Sequence, residues 1–287
     1  MKFFNSGLFN VIAAYFLWGV LPVYWSQLKE IPAEVSLTHR VFWSIVFLGA
    51  ILYPQARLKT SLHEMVKKKI FIARAIAALF VAINWLTYVW AMGNGYIQES
   101  GLGYFISPLL SVALAALVFK EKLTTTQIYG IALVSSGVLL KILVAEELPW
   151  IAIILALSWS IYCTLRKAQA SEPINSLFQE VILIMPVLML LFLVMHTDKL
   201  FQWHGLWSMF LLVLSGPITA LPILMLVKGL KTVRMSSVAI IQFLTPTLNL
   251  VVAILTGESF QLNDLYSYLP IWLGVLVFLG VFERSAN

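Results

Sequence analysis

The chain has 287 residues, 61% of them apolar and 11% charged, with a net charge of +6 at pH 7 and a mean hydropathy of +0.91. A soluble domain is about 45–50% apolar and about 25% charged, and the 19 basic and 13 acidic side chains here cannot cover a water-facing surface of this size. Soluble, disordered, collagen-like and disulfide-stapled classes are excluded, the last because Cys163 stands alone; an all-α integral membrane protein remains.

A helix needs about 20 apolar residues to cross the hydrocarbon core. In chain order the qualifying segments are 8–28, 34–53, 70–92, 99–119, 125–145, 149–165, 176–196, 206–227, 236–256 and 267–283. They predict ten transmembrane helices joined by short connections, with no room for an extramembrane head. The first run continues through Trp18, Pro22 and Trp25 without a small-x-small cleavage site, so it reads as a retained span rather than a signal peptide. With the N-terminus inside, fifteen of the nineteen Lys and Arg residues fall on the cytoplasmic side. That bias puts both termini in the cytoplasm. The basic run at 67–69 is then a topology signal near anionic lipid, and nucleic acid is not a partner.

GLGYFISP at 101–108 resembles AIIQFLTP at 239–246, and each is followed by a Glu, Glu121 or Glu258. A shift of about 138 residues superposes spans 3 and 4 on spans 8 and 9. The chain therefore divides into 1–145 and 146–287, five spans each. Five is odd, so the second half enters from the opposite side: two inverted five-helix repeats. Secondary transporters are built this way, with substrate held near the midplane between the repeats.

Several stretches carry a family resemblance. They are Phe16-Leu17-Trp18-Gly19 with Pro22 and Tyr24-Trp25, then His39-Arg40-Val41-Phe42-Trp43-Ser44, Asn84-Trp85-Leu86, and Leu102-Gly103-Tyr104-Phe105 with Pro108. Leu148-Pro149-Trp150-Ile151-Ala152, Thr219-Ala220-Leu221-Pro222, and Gln242 with Thr245-Pro246-Thr247 complete the set. In this order they resemble the RarD group of EamA-domain proteins, in the drug/metabolite transporter superfamily. The resemblance implies an inverted five-plus-five helical fold, a place in the bacterial inner membrane, and export of small metabolites. It implies no particular substrate.

Charged groups inside a span are costly and need a partner or a water-filled cavity. Arg40 lies six or seven residues into span 2, about 10 Å deep at 1.5 Å per residue. It has four readings: receptor for an anionic substrate group, gate paired with a protein carboxylate, member of a structural ion pair, or a cation snorkelling to the outer headgroups. His39 is either a packing residue or a proton carrier. Glu180 is a proton site or an interfacial carboxylate paired with Arg166 or Lys167. Glu99 caps its helix or gates with Arg40.

Uncharged polar residues recur at helical spacing. Ser100, Tyr104, Ser107 and Ser111 share one face of span 4; Gln242, Thr245 and Asn249 share one face of span 9. Span 3 offers Asn84 and Tyr88 beside Trp85, and span 6 offers Ser158 and Tyr162. These faces are expected to line one cavity. A lone Ser or Thr is explained by helix packing, but the amides of Asn84 and Gln242 carry four hydrogen-bonding sites each and favour a cavity wall. Trp18, Trp85 and Trp159 are the candidates for stacking on a substrate. Pro108, Pro222 and Pro246 are expected to kink their helices, and Gly130, Gly137, Gly274 and Gly280 to permit close packing.

No phosphate-cradling loop is present, so ATP does not power the protein. No metal-ligand spacing or nucleophilic set occurs either, and neither an enzyme nor a cofactor is expected. The reading is a secondary transporter exporting a small polar metabolite, amino-acid-like or drug-like, by alternating access. The alternatives are a passive channel and a non-transporting scaffold or assembly factor. Expected partners are the metabolite and membrane lipid; monomer and homodimer stay open.

Overall fold

A computed structural model describes residues 6–144, 149–195, 205–255 and 262–280. Among these residues are twelve helices and no strand: α1 (Gly7–Ser26), α2 (Ala33–Leu52), α3 (Leu58–Glu64), α4 (Lys68–Gly93), α5 (Ile97–Phe119), α6 (Thr125–Val144), α7 (Trp150–Gln169), α8 (Pro173–Met195), α9 (Gly205–Leu230), α10 (Met235–Ile241), α11 (Leu244–Leu255) and α12 (Leu262–Phe278). Lipid offers the backbone no hydrogen bonds, so apolar runs of this length must satisfy their own amides as helix. Nine apolar stretches among the described residues are long enough to cross a membrane, one of them Met235–Val252 spanning α10 and α11; the apolar part of α12, Tyr266–Phe278, is shorter. The chain is a multi-pass membrane protein.

Two features differ from the expected spans. The 2–3 connection holds the extra short helix α3. The ninth span is two helices rather than one kinked helix. Pro246 has no N–H to give the Gln242 carbonyl, and its ring crowds that group. The backbone tightens there instead, with Gln242 N–H donating to Ala239 O at 3.2 Å, Phe243 N–H to Ile240 O at 3.2 Å and Thr245 N–H to Gln242 O at 3.1 Å. Pro246 thus stands in the first turn of α11, where a missing donor costs nothing. Pro108 and Pro222 lie inside α5 and α9, and α9 carries Pro217 as well. Pro22 and Pro186 interrupt α1 and α8 in the same way. The paired Glu258 falls outside the described residues.

The helices pack in a regular set of pairs: α1 on α9 and α11, α2 on α8 and α9, α4 on α7 and α8, α5 on α7 and α10, and α6 on α12. The main core runs through Val11, Leu37, Val41, Leu48, Val81, Phe178, Ile223 and Leu226. Side chains left uncovered along the spans, such as Leu79, Leu117 and Leu190, are apolar and face lipid.

The α6–α12 pair shows why glycine is needed. A Cβ on Gly274 would sit 2.5 Å from the Gly130 carbonyl oxygen, and one on Gly130 would sit 2.7 Å from Gly274 O. Lipid tails are as apolar as Leu, so helices associate through such close backbone contact. Gly280, in the turn after α12, has φ +69°, a backbone conformation that favours glycine. Gly274→Leu is therefore expected to destabilise the protein by about 1–3 kcal/mol, the range for overpacking. Thermal unfolding of the purified protein reads it, with Gly101→Ala as a clash-free control that does not destabilise, because nothing lies within 4 Å of that site and alanine is the better helix former.

Candidate functional site

A cavity of about 180 Å³ lies among α1, α2, α4, α5, α7 and the α10–α11 break. Its wall takes residues from the middle and C-terminal part of α1, the C-terminal half of α4 and the N-terminal halves of α2, α5 and α7. It therefore lies in the half of the bundle nearer the α1–α2 turn, away from the end at which α1 begins. Of the expected residues, Arg40, Asn84, Trp85, Tyr88, Tyr104, Ser107, Gln242 and Thr245 are on the wall. So are Trp18 and Trp159, with Ser100 and Asn249. Tyr104 keeps 39% of its surface uncovered although it stands inside the bundle, because that surface faces the cavity.

Arg40 is the cation of the site. Its Nε donates to Thr219 Oγ1 at 3.1 Å. Its Cζ lies 4.5 Å from the Trp25 ring centroid and 5.6 Å from that of Trp85, so two aromatic faces hold the guanidinium plane. Among the described residues no carboxylate pairs with it. Glu99 Oε1 instead accepts the Ile151 N–H at 2.7 Å and caps α7, where the helix dipole favours a negative charge.

The two amides join the wall to the frame. Asn84 Nδ2 donates to Leu155 O at 2.9 Å and to Ser158 Oγ at 3.1 Å, tying α4 to α7. Gln242 Nε2 donates to Ser111 Oγ at 3.2 Å while its Oε1 accepts from Ser107 Oγ at 3.2 Å. Ser107 and Ser111 both reach Ser160, at 3.2 and 3.1 Å, and Thr245 Oγ1 donates to Tyr15 O at 2.9 Å. The helix break is thereby fastened to α5, α7 and α1. Trp18 meets Trp159 edge-on at 5.2 Å and Tyr15 at 5.2 Å, giving the cavity an aromatic floor.

Six expected residues are placed elsewhere. Ser158 stands behind Asn84 rather than on the wall. Tyr162 lies one turn further along α7 and donates to Glu180 Oε2 at 3.1 Å. Glu180 pairs with Arg166, one of the partners expected for it, but neither side chain has any exposure, so the pair is buried rather than interfacial. His39 is not on the wall, and neither Pro108 nor Pro222 reaches it. The wall residues not expected from the sequence are Tyr15, Leu21 and Leu155, while Pro22, Trp25 and Gly103 stood out there only as motif residues.

The opposite end of the bundle is closed by polar contacts. Arg74 Nε donates to Gln179 Oε1 at 3.0 Å and its Nη1 to Gln169. Gln179 Nε2 donates to Ser61 O at 2.8 Å, which fixes α3 on α8. Lys167 Nζ holds Val233 O at 2.6 Å and Leu230 O at 3.0 Å after α9. Glu121, in the α5–α6 turn, accepts Met235 N–H at 2.7 Å, Ser236 N–H at 3.0 Å and Ser236 Oγ at 2.7 Å. Partial burial raises the Glu121 pKa, but the hydrogen bonds from Ser236 and Met235 and the nearby Arg234 outweigh it and hold the carboxyl below its ordinary value.

A depressed carboxylate adds stability above its unfolded pKa and loses it as pH falls through the folded one. Glu121→Ala is expected to cost about 1–2 kcal/mol, the range for a lost helix cap, and to flatten the acid limb of a stability–pH profile. A variant profile that parallels the wild type contradicts this.

The description "EamA-like transporter family" matches residues 5–143 and again 149–280. The chain belongs to that family. Over 96% of its length it is 31% identical to the uncharacterized transporter YojE of Bacillus subtilis, covering 93% of that protein. It is likewise 31% identical to protein RarD of Salmonella typhi, covering 96% of this chain and 95% of that one. A solved structure titled only as the crystal structure of a protein superposes with a TM-score of 0.75 at 17% identity. It covers 96% of this chain and 98% of that chain, which shows a shared fold and nothing further.

Proposed function

We propose that this family member is a secondary transporter that exports a small polar metabolite across the bacterial inner membrane by alternating access. The observation that carries the reading is Arg40: a cation within the span region, held by two tryptophans and facing a cavity where, among the described residues, no carboxylate pairs with it. Such a group is costly in a membrane and is kept where a ligand or ion uses it. Two halves, 1–145 and 146–287, form the moving parts. Their inverted relation is supported by the packing pairs: exchanging the halves turns α1·α9 into α7·α4 and α2·α9 into α8·α4, and returns α2·α8, α5·α10 and α6·α12 to themselves. The Lys and Arg bias supports an orientation with the cavity toward the periplasm and the Arg74–Gln179 and Arg166–Glu180 contacts toward the cytoplasm. A cavity at one end with a closed opposite end suits a carrier better than a passive channel.

Transport then requires the cytoplasmic contacts to part as the periplasmic side closes over Arg40. Purified protein in vesicles loaded with the small-metabolite fraction of a cell extract tests this. The expected result is saturable, protein-dependent loss of particular compounds together with counterflow. Loss without counterflow identifies a channel. No loss, with a stable protein partner on purification, identifies a scaffold.

A further inference from the structure

We infer that the compound carried is a small organic anion: one carboxylate-type group received by Arg40, a compact aromatic or apolar body, and no compensating positive charge. This rests on the transport reading above and names the substrate class of the same cavity.

The charge balance comes first. Arg40 uses Nε on Thr219, and its two terminal nitrogens form no hydrogen bond to a described residue. A guanidinium edge with both terminal N–H groups unused is the geometry that binds a carboxylate bidentately. Trp25 and Trp85 hold the plane of the guanidinium, so the fork is oriented before the ligand arrives.

The second argument is the chemistry missing from the wall. No Asp or Glu lines the cavity among the described residues. Glu99 is committed to the α7 N-terminus and Glu180 to Arg166 at the other end of the bundle. An ammonium group would meet ring faces, hydroxyls and neutral amide oxygens such as that of Asn249, but no described carboxylate to balance it, in a small space already holding a like charge. A monoanion brings the occupied site to neutrality; a zwitterion leaves it at +1 and a cation makes it worse. The amino-acid-like description is thus narrowed to acids without the amine.

Size and lining set the body. A dry cavity of about 150 Å³ accepts benzene, and this one measures about 180 Å³. One ring and a carboxylate fill it. The edge-on pair Trp18 and Trp159 offers that ring an aromatic contact.

Benzoate, benzamide and benzamidine share one ring and differ in charge, and phenylalanine supplies the zwitterion. Four tryptophans stand on the wall, so intrinsic fluorescence of the purified full chain reports each titration. Benzoate is expected to bind at least tenfold more tightly than the other three. Arg40→Gln is expected to make benzoate and benzamide equal, and Arg40→Lys to fall between; circular dichroism confirms that both variants are folded. Equal or tighter binding of benzamidine or phenylalanine overturns the inference, as does a benzoate preference surviving in Arg40→Gln, or no saturable benzoate signal. The vesicle experiment separates the two readings. Exchange restricted to amines overturns the anion class and leaves transport standing, whereas selective benzoate binding with no exchange of any compound supports the anion site and overturns transport.

Discussion

Arg40→Gln is expected to lower the initial rate of counterflow by roughly a hundredfold while leaving the protein as stable as the wild type. The two halves of that expectation have separate causes. A bidentate hydrogen bond to an ionised group contributes about 3 kcal/mol, and each 1.4 kcal/mol is tenfold. That bond is lost with the guanidinium. Stability is another matter, because among the described residues Arg40 makes one side-chain hydrogen bond, to Thr219, and two ring contacts, to Trp25 and Trp85, but no ion pair. Against that bond stands the cost of a cation within a span, about 2.5–3.5 kcal/mol on insertion scales. The substitution is therefore close to neutral. A variant that unfolds, or that transports at the wild-type rate, removes Arg40 from the binding role.

The second large effect concerns the closed end. Glu180→Ala is expected to cost about 3–5 kcal/mol, because it leaves Arg166 charged and buried without its partner. Both side chains have no exposure, and Nε and Nη2 of Arg166 already lack partners among the described residues. The Tyr162 hydroxyl loses its acceptor in the same step. Exchanging both charges, Arg166→Met with Glu180→Leu, is expected to recover most of the loss, since apolar packing often replaces a buried ion pair at no net cost. Thermal unfolding of the single and double variants decides it. A single variant as stable as the wild type contradicts the account of this end as an interlocked polar contact.

Much of the frame was legible because lipid enforces it: an apolar run of 20 residues has no alternative to helix. Individual wall residues were legible where the side chain is expensive to leave unsatisfied. Arg40, Asn84 and Gln242 stand out in an apolar span for that reason, and all three are on the cavity wall. Trp25 was not legible, since a tryptophan near a span end reads as part of the interfacial belt; only its 4.5 Å approach to Arg40 reveals its use. Helical spacing also says which residues share a face and not what that face meets. Ser158 and Tyr162 share a face of α7, yet one supports Asn84 and the other serves Glu180 on the neighbouring helix. The break at Gln242 and Phe243 was hidden for a related reason. A proline can kink a continuous helix or begin a new one, and here the break coincides with Gln242 accepting from Ser107 and donating to Ser111 on the neighbouring helix.

The central claim is that this cavity carries a compound across the membrane, and metabolite pools measure it most directly. Cells lacking the protein, cells overproducing it and cells overproducing Arg40→Gln should be compared for small molecules inside and in the medium. The account predicts one or a few small acids that accumulate outside with the wild-type protein, are retained inside without it, and are retained equally with Arg40→Gln. Identical pools in all three, or exported compounds that are equally enriched by the Arg40→Gln protein, contradict it.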